Sequence, residues 1–113
     1  MRCVRVPALA VLLLFIPGLA AAEPSAANGR ALFMKVGCYE CHGTQGQGGA
    51  AGPRIAPDPI PFDGFAEFVR TTSGEMPPYT ATVLSDQDLA DIYAYLQSIP
   101  RPPAVADIPL LKR

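Results

Sequence analysis

The chain has no tryptophan and a single histidine, His42, among its 113 residues. One histidine excludes any metal centre that takes two imidazoles from the same chain. Cysteine is scarce as well. Cys3, Cys38 and Cys41 are the only three, which does not make the disulfide framework of a small secreted scaffold. Positive charge is thin, with nine Lys and Arg against ten Asp and Glu, so no basic face is available to hold nucleic acid by phosphate neutralisation. No stretch alternates apolar and polar residues long enough for a strand, and no internal repeat is visible. The length allows one small domain, and the patterning makes it all-α with long loops.

The first segment reads as an address. Arg2 and Arg5 precede a nine-residue apolar run, Ala8–Ile16, which Pro17-Gly18 breaks before the small residues Ala20-Ala21-Ala22. That is the layout of a secretory signal peptide, residues 1–22. The run falls short of the roughly 20 residues needed to span a bilayer, which favours export and cleavage over a retained membrane anchor. No cysteine stands at the cleavage point to carry a lipid. Cleavage leaves a domain of residues 23–113 and removes Met1, Cys3 and two arginines, so the net charge becomes −3. A charged docking partner is expected to present a positive patch. A domain this small is marginal on its own core, and a bound apolar group would add the volume it lacks.

The two remaining thiols lie in Cys38-Tyr39-Glu40-Cys41-His42, the C-x-x-C-H attachment pattern for c-type haem. Residues i, i+3 and i+4 share one face of a helical turn. Two thiols so placed can reach the two vinyl groups of one porphyrin while the imidazole reaches its iron. A zinc site needs four ligands, and three on one turn cannot enclose a metal. A thioredoxin-like C-x-x-C needs a βαβ context, and no strands are visible. One haem c, held covalently through two thioethers, is the expected cofactor.

Haem then requires a sixth iron ligand or an open site. With one histidine in the chain, methionine remains. Met1 leaves with the signal segment, and Met34 lies one turn before Cys38, too close in sequence to reach the far side of the ring. Met76 stands 34 residues beyond His42, followed by Pro77 and Pro78. A methionine is more often core filler than a metal ligand, but elimination, position and the stiffening prolines make Met76 the expected distal ligand, with His42 opposite.

Along the mature chain, Ser25 is the expected N-cap of a helix over Ala26–Val36 carrying Leu32, Phe33 and Val36. Gly29 marks either a close helix contact or a frayed start. Gly43–Gly49 has neither the spacing nor the lysine of a phosphate loop and reads as an irregular connection. The alternating prolines Pro57, Pro59 and Pro61 imply an extended, polyproline-like strap. Asp63 is expected to cap a short helix with Phe65, Phe68 and Val69, ending near Thr71–Gly74. Ser85-Asp86-Gln87-Asp88 resembles a capping box, followed by an apolar stripe of Leu89, Ile92, Tyr93 and Leu96 flanked by Tyr95 and Ile99. Pro100 ends that helix, and residues 100–113 form a proline-rich surface tail.

On Gly29, Phe33, the C-x-x-C-H at 38–42, Gly52-Pro53, Met76 and the Leu89–Leu96 helix, the chain resembles small bacterial class I c-type cytochromes, from about Gly29 to Ile99. The resemblance implies a cytochrome c-like fold whose first and last helices cross at Gly29, Phe33 and Tyr95. It implies that the Pro53 carbonyl accepts a hydrogen bond from the proximal His42. Arg54 is either a partner of a haem propionate or an exposed loop arginine, and Tyr79 either bonds near the propionates or packs. The missing tryptophan and sparse lysines depart from the mitochondrial pattern and its docking mode. With both axial positions filled, no site is left for oxygen or peroxide, and methionine raises the potential. The expected role is therefore periplasmic one-electron transfer between redox partner proteins, not catalysis. The chain would act as a monomeric carrier or as a small subunit of a dehydrogenase or oxidase complex. A haem enzyme or sensor with a labile Met76 is the less favoured alternative, tested by carbon monoxide uptake.

Overall fold

Ser25 starts the fold. Its hydroxyl accepts from the Asn28 backbone N–H and caps helix α1, Ala26–Lys35. In this computed structural model residues 22–111 are described, so the signal-segment expectation lies outside them except for Ala22. Gly37, with φ of 85°, turns the chain sharply out of α1, a left-handed conformation that glycine adopts without a Cβ penalty. Helix α2, Cys38–His42, follows at once. Helices α3, Phe62–Thr71, and α4, Asp86–Ser98, complete the regular structure apart from two 3₁₀ turns in the tail. All the regular elements among the described residues are helical, as the sequence pattern implied.

The termini of α3 and α4 have different origins. At α4 the capping box forms: Ser85 Oγ accepts from the Asp88 N–H, and the Asp88 carboxylate accepts from the Ser85 N–H. At α3, Pro61 occupies the cap position and Asp63 lies within the first turn, which corrects the expectation that Asp63 is the cap. The fixed φ of proline suits a helix start, and Asp63 still sits where the helix dipole favours a carboxylate.

The core forms where α1 crosses α4. A Cβ built on Gly29 would collide with the Asp91 carbonyl, so Gly29 is a point of helix contact and not a frayed start. One turn on, Phe33 is fully buried and meets Tyr95 with ring centroids 5.6 Å apart at a tilt of 60°. Val69, Leu84, Leu89, Ile92 and Leu96 close around them, with Ala56 from the long loop. The Phe33–Tyr95 contact is the one the family resemblance implied, whereas apolar spacing alone put Tyr93 on the stripe and Tyr95 beside it. Tyr95 is buried and donates to the Thr44 carbonyl at 2.7 Å. Tyr93 is half-buried, packs on Phe62 and Phe65, and donates to the Ile60 carbonyl. The reason is the direction from which α1 approaches: it faces the Ile92–Tyr95–Leu96 side of α4, which leaves Tyr93 to α3.

Asp91, only 4% exposed, ties the start of α1 to α4. Its carboxylate accepts from the Ser25 N–H at 2.8 Å, the Asn28 side-chain amide at 2.6 Å and the Gln87 side-chain amide at 3.1 Å. These bonds, the Asn28 one foremost, hold its pKa below the ordinary carboxylate value against the opposing effect of burial.

The Pro57–Pro61 segment is not a uniform polyproline strap. The Ala56–Pro57 bond is cis, and the positive φ of 61° at Asp58 bends the segment. Its start is fixed where Ile55 and Ala56 both donate to the Gly46 carbonyl, and Arg101 from the tail pairs with Asp58 at 2.9 Å. The tail itself contains the turns Val105–Asp107 and Pro109–Leu111, more local structure than its prolines suggested. Among the described residues no helix is long and apolar enough to cross a membrane.

Candidate functional site

Helix α2 places Cys38, Cys41 and His42 on successive positions of little more than one turn. Cys38 is half-buried and Cys41 exposed, and the two are not joined to each other. Burial pushes the Cys38 thiol up to about 11. His42 is buried at 9% exposure, and the loop after it wraps back over its ring. Gly48 donates to the His42 carbonyl at 2.8 Å and Gly49 to the Gly52 carbonyl at 3.0 Å. That path brings the Pro53 carbonyl to 2.8 Å from His42 Nδ1. A carbonyl can only accept, so Nδ1 carries the proton and Nε2 presents its lone pair. The bond also fixes the ring plane and makes the imidazole a stronger metal ligand.

The imidazole belongs to the wall of an apolar cleft of about 1030 Å³ including its open mouth. Cys38, His42 and Pro53 line one part of it; Phe65, Val69, Leu84, Leu89 and Ile92 form the floor; and Met76 and Tyr79 come from the loop after α3. Ile60 and Phe68, both more than half exposed, stand at the rim. An adjoining recess is shared by Cys38, Cys41, His42, Met76 and Tyr79. The structure thus gathers Cys38, Cys41, His42, Pro53 and Met76 around two joined cavities. Arg54 is exposed and lines the apolar cleft.

The residues fit a covalently held haem on three counts. Two thiols and an imidazole project from one turn, the cleft is lined mainly by apolar side chains, and a thioether lies in the same cleft as an imidazole whose other nitrogen is already committed. Among the described residues no three His, Cys, Asp or Glu side chains form a group able to hold a bare metal ion.

The loop bearing Met76 is held from three directions. Tyr79 donates its backbone N–H to the Val69 carbonyl at 2.9 Å and its hydroxyl to the Val36 carbonyl at 2.8 Å. Arg70 donates Nη1 to the Tyr79 carbonyl and Nη2 to Asp86 Oδ1, both at 2.8 Å. Burial first, and then the nearby Cys38, Cys41 and Glu40 charges, push the Tyr79 phenol above its ordinary pKa. Tyr79 therefore packs and bonds to backbone. The sequence reading did not single out Arg70; its only local signal is a basic residue in the last turn of α3, which is common at helix ends.

Comparison with known proteins agrees with this geometry. The sequence model of one family, described as cytochrome C oxidase, cbb3-type, subunit III, matches residues 24–96. Cytochrome c-555 of Methylococcus capsulatus (strain Bath) is 31% identical over 100 residues, which cover 83% of this chain and 81% of that protein. No solved structure matches the chain at comparable significance.

Proposed function

The chain belongs to the c-type cytochrome family, whose members carry covalent haem c and transfer electrons, and from that premise we propose that it is an exported monohaem carrier with His42 and Met76 as axial ligands. The observation that carries this reading is the cleft itself: the thioether of Met76 and the Pro53-anchored imidazole of His42 line the same apolar space. When bound, haem supplies a reversible one-electron couple at iron. The chain supplies the rest. Cys38 and Cys41 would anchor the group, His42 and Met76 would ligate its iron, and Phe65, Val69, Leu84 and Ile92 would exclude water from it. Two protein ligands leave no coordination position for a substrate, which is why the role is transfer and not catalysis. Methionine as one of them raises the potential.

Residues 1–22 direct export to the periplasm, where the protein meets donor and acceptor proteins. A second reading, that the chain serves as the cytochrome subunit of a larger redox complex, is favoured by the family it matches, that of an oxidase subunit.

Redox titration of the purified holoprotein, with its visible spectrum, tests the principal reading. The expected result is one haem per chain and a methionine-to-iron charge-transfer band in the oxidised form. Met76→Ala should abolish that band and lower the potential by about 0.2 V, within the ~0.8 V that axial ligand choice spans. A Met76→Ala protein with an unchanged spectrum and potential, or ready carbon monoxide uptake by the reduced wild type, overturns it. Co-elution with a larger enzyme at native concentration decides for the subunit reading.

A further inference from the structure

Met76 lies in a loop, and its neighbours Glu75, Pro77 and Pro78 are exposed. Pro77 and Pro78 give that loop local stiffness but no fixed address on the body of the domain. Part of that address comes from one side chain on α3. We infer that Arg70 is a positioning residue for the distal ligand, holding the Met76 loop against the cleft through the Tyr79 carbonyl. The inference rests on the His/Met reading above.

Four observations carry it. First, Arg70 Nη1 reaches the Tyr79 carbonyl at 2.8 Å, three residues beyond Met76. Second, the same guanidinium reaches Asp86, the first residue of α4, at 2.8 Å through Nη2. One planar group thus links α3, the loop and α4, a two-point contact that lysine cannot reproduce. Third, Arg70 is a side chain only 20% exposed, whereas Asp86 is 92% exposed. The Asp86 pair is therefore a surface contact worth little, and the partly buried bond to the carbonyl is the consequential one, a charge-assisted bond to a neutral acceptor. Fourth, Tyr79 also bonds to Val69 through its N–H. Residues 69 and 70 together grip both polar backbone groups of Tyr79, so the exit of the loop is pinned at a single residue. The segment between α3 and this pin, residues 72–78, has no other backbone bond to the body of the domain among the loop and turn bonds apart from Thr72 to Phe68.

The mechanical consequence follows. With its exit pinned, the loop can place the Met76 sulfur at a fixed distance from the cleft wall. Released, it samples positions with the sulfur withdrawn. An external ligand can bind iron only in that withdrawn state, so its apparent affinity measures the withdrawn fraction.

The test uses oxidised holoprotein and imidazole as the external ligand. Arg70→Met keeps the length and apolar stem and removes every donor. It should bind imidazole about tenfold more tightly than wild type, as a tenfold rise in the withdrawn fraction requires. Amide hydrogen exchange should quicken across residues 72–80 while α1 and α4 keep their protection. Arg70→Gln is read the same way should Arg70→Met fail to mature. Imidazole affinity within twofold of wild type, even with lowered thermal stability, overturns the inference and leaves the His/Met reading intact, provided that Met76→Ala binds imidazole readily. A Met76→Ala protein that binds imidazole no better than wild type overturns the axial reading itself, and this inference with it.

Discussion

The two faces of the cleft are built on different principles. The His42 face is helical: a short helix follows a sharp glycine turn, and a loop folded back on itself adds a single 2.8 Å bond to the imidazole. It is braced from behind by the α1–α4 crossing, where backbone touches backbone at Gly29 and Asp91. The Met76 face is a loop, and its position depends on side chains that reach across from elsewhere, Arg70 and the Tyr79 hydroxyl. A helical face resists displacement because moving one residue moves its neighbours. A tethered loop is only as fixed as its tethers. The comparison teaches that the fold fixes His42 through packed helices and holds Met76 only through the tethers of its loop.

The largest expected effect lies on the helical side. Gly29→Ala drives a methyl group into the Asp91 carbonyl, and backbone cannot rotate away as a side chain would. Separating α1 from α4 should cost about 3 kcal/mol or more, at the upper end for overpacked cores. Thermal or denaturant unfolding of the holoprotein measures it. A Gly29→Ala variant within about 0.5 kcal/mol of wild type, the scatter of neutral surface substitutions, would mean the crossing yields, and the contrast between the faces would fail.

Asp91→Asn comes next. The asparagine keeps the shape but turns one acceptor oxygen into a donor, opposite the Ser25 N–H or the Asn28 amide. The expected loss is about 2 kcal/mol at pH 7, typical when a buried bonded group loses its partner. The pH dependence has a definite sign. Asp91 has a folded pKa below its unfolded value, so its contribution is complete above the ordinary carboxylate value near 3.9. It is lost as pH falls through the lower folded value. The gap between wild type and Asp91→Asn should therefore shrink at acid pH. A gap as wide at pH 3 as at pH 7 would show that the carboxylate charge is not what holds α1 to α4.

The same division explains what could be read from the sequence. The helical face was legible because its signals are local: Ser25 and the Ser85–Asp88 box mark helix starts, and the C-x-x-C-H occupies one turn. The apolar spacing found Leu89, Ile92 and Leu96. Periodicity could not say from which side α1 approaches, so it put Tyr93 on the stripe, and only the family resemblance pointed to Tyr95 at the crossing. Proline content could not reveal that Asp58 takes a positive φ or that the strap bends. Asp91 and Arg70 were invisible for a related reason. Each acts across tens of residues or between elements, Asp91 on Ser25 and Asn28, Arg70 on Tyr79 and Asp86, and a lone charged residue on a helix looks the same whether it is solvated or buried against a partner.

The smallest effect separates the two tethers of the loop. Tyr79→Phe removes the hydroxyl bond to the Val36 carbonyl and leaves the ring, the N–H bond to Val69 and the carbonyl bond to Arg70 in place. Val36 is the half-buried cap residue of α1, so its freed carbonyl can find water. The cost should be about 1 kcal/mol, the net worth of one ordinary hydrogen bond. The direction of the bond matters more than its size. It runs from the Met76 loop to the residue two before Cys38, and so couples the Met76 face to the His42 face. If the loop is positioned chiefly from α3, Tyr79→Phe should lower unfolding stability while imidazole affinity changes less than in Arg70→Met. If Tyr79→Phe instead raises imidazole affinity as far as Arg70→Met does, the loop depends equally on the helical face, and the two sides of the cleft form one mechanical unit.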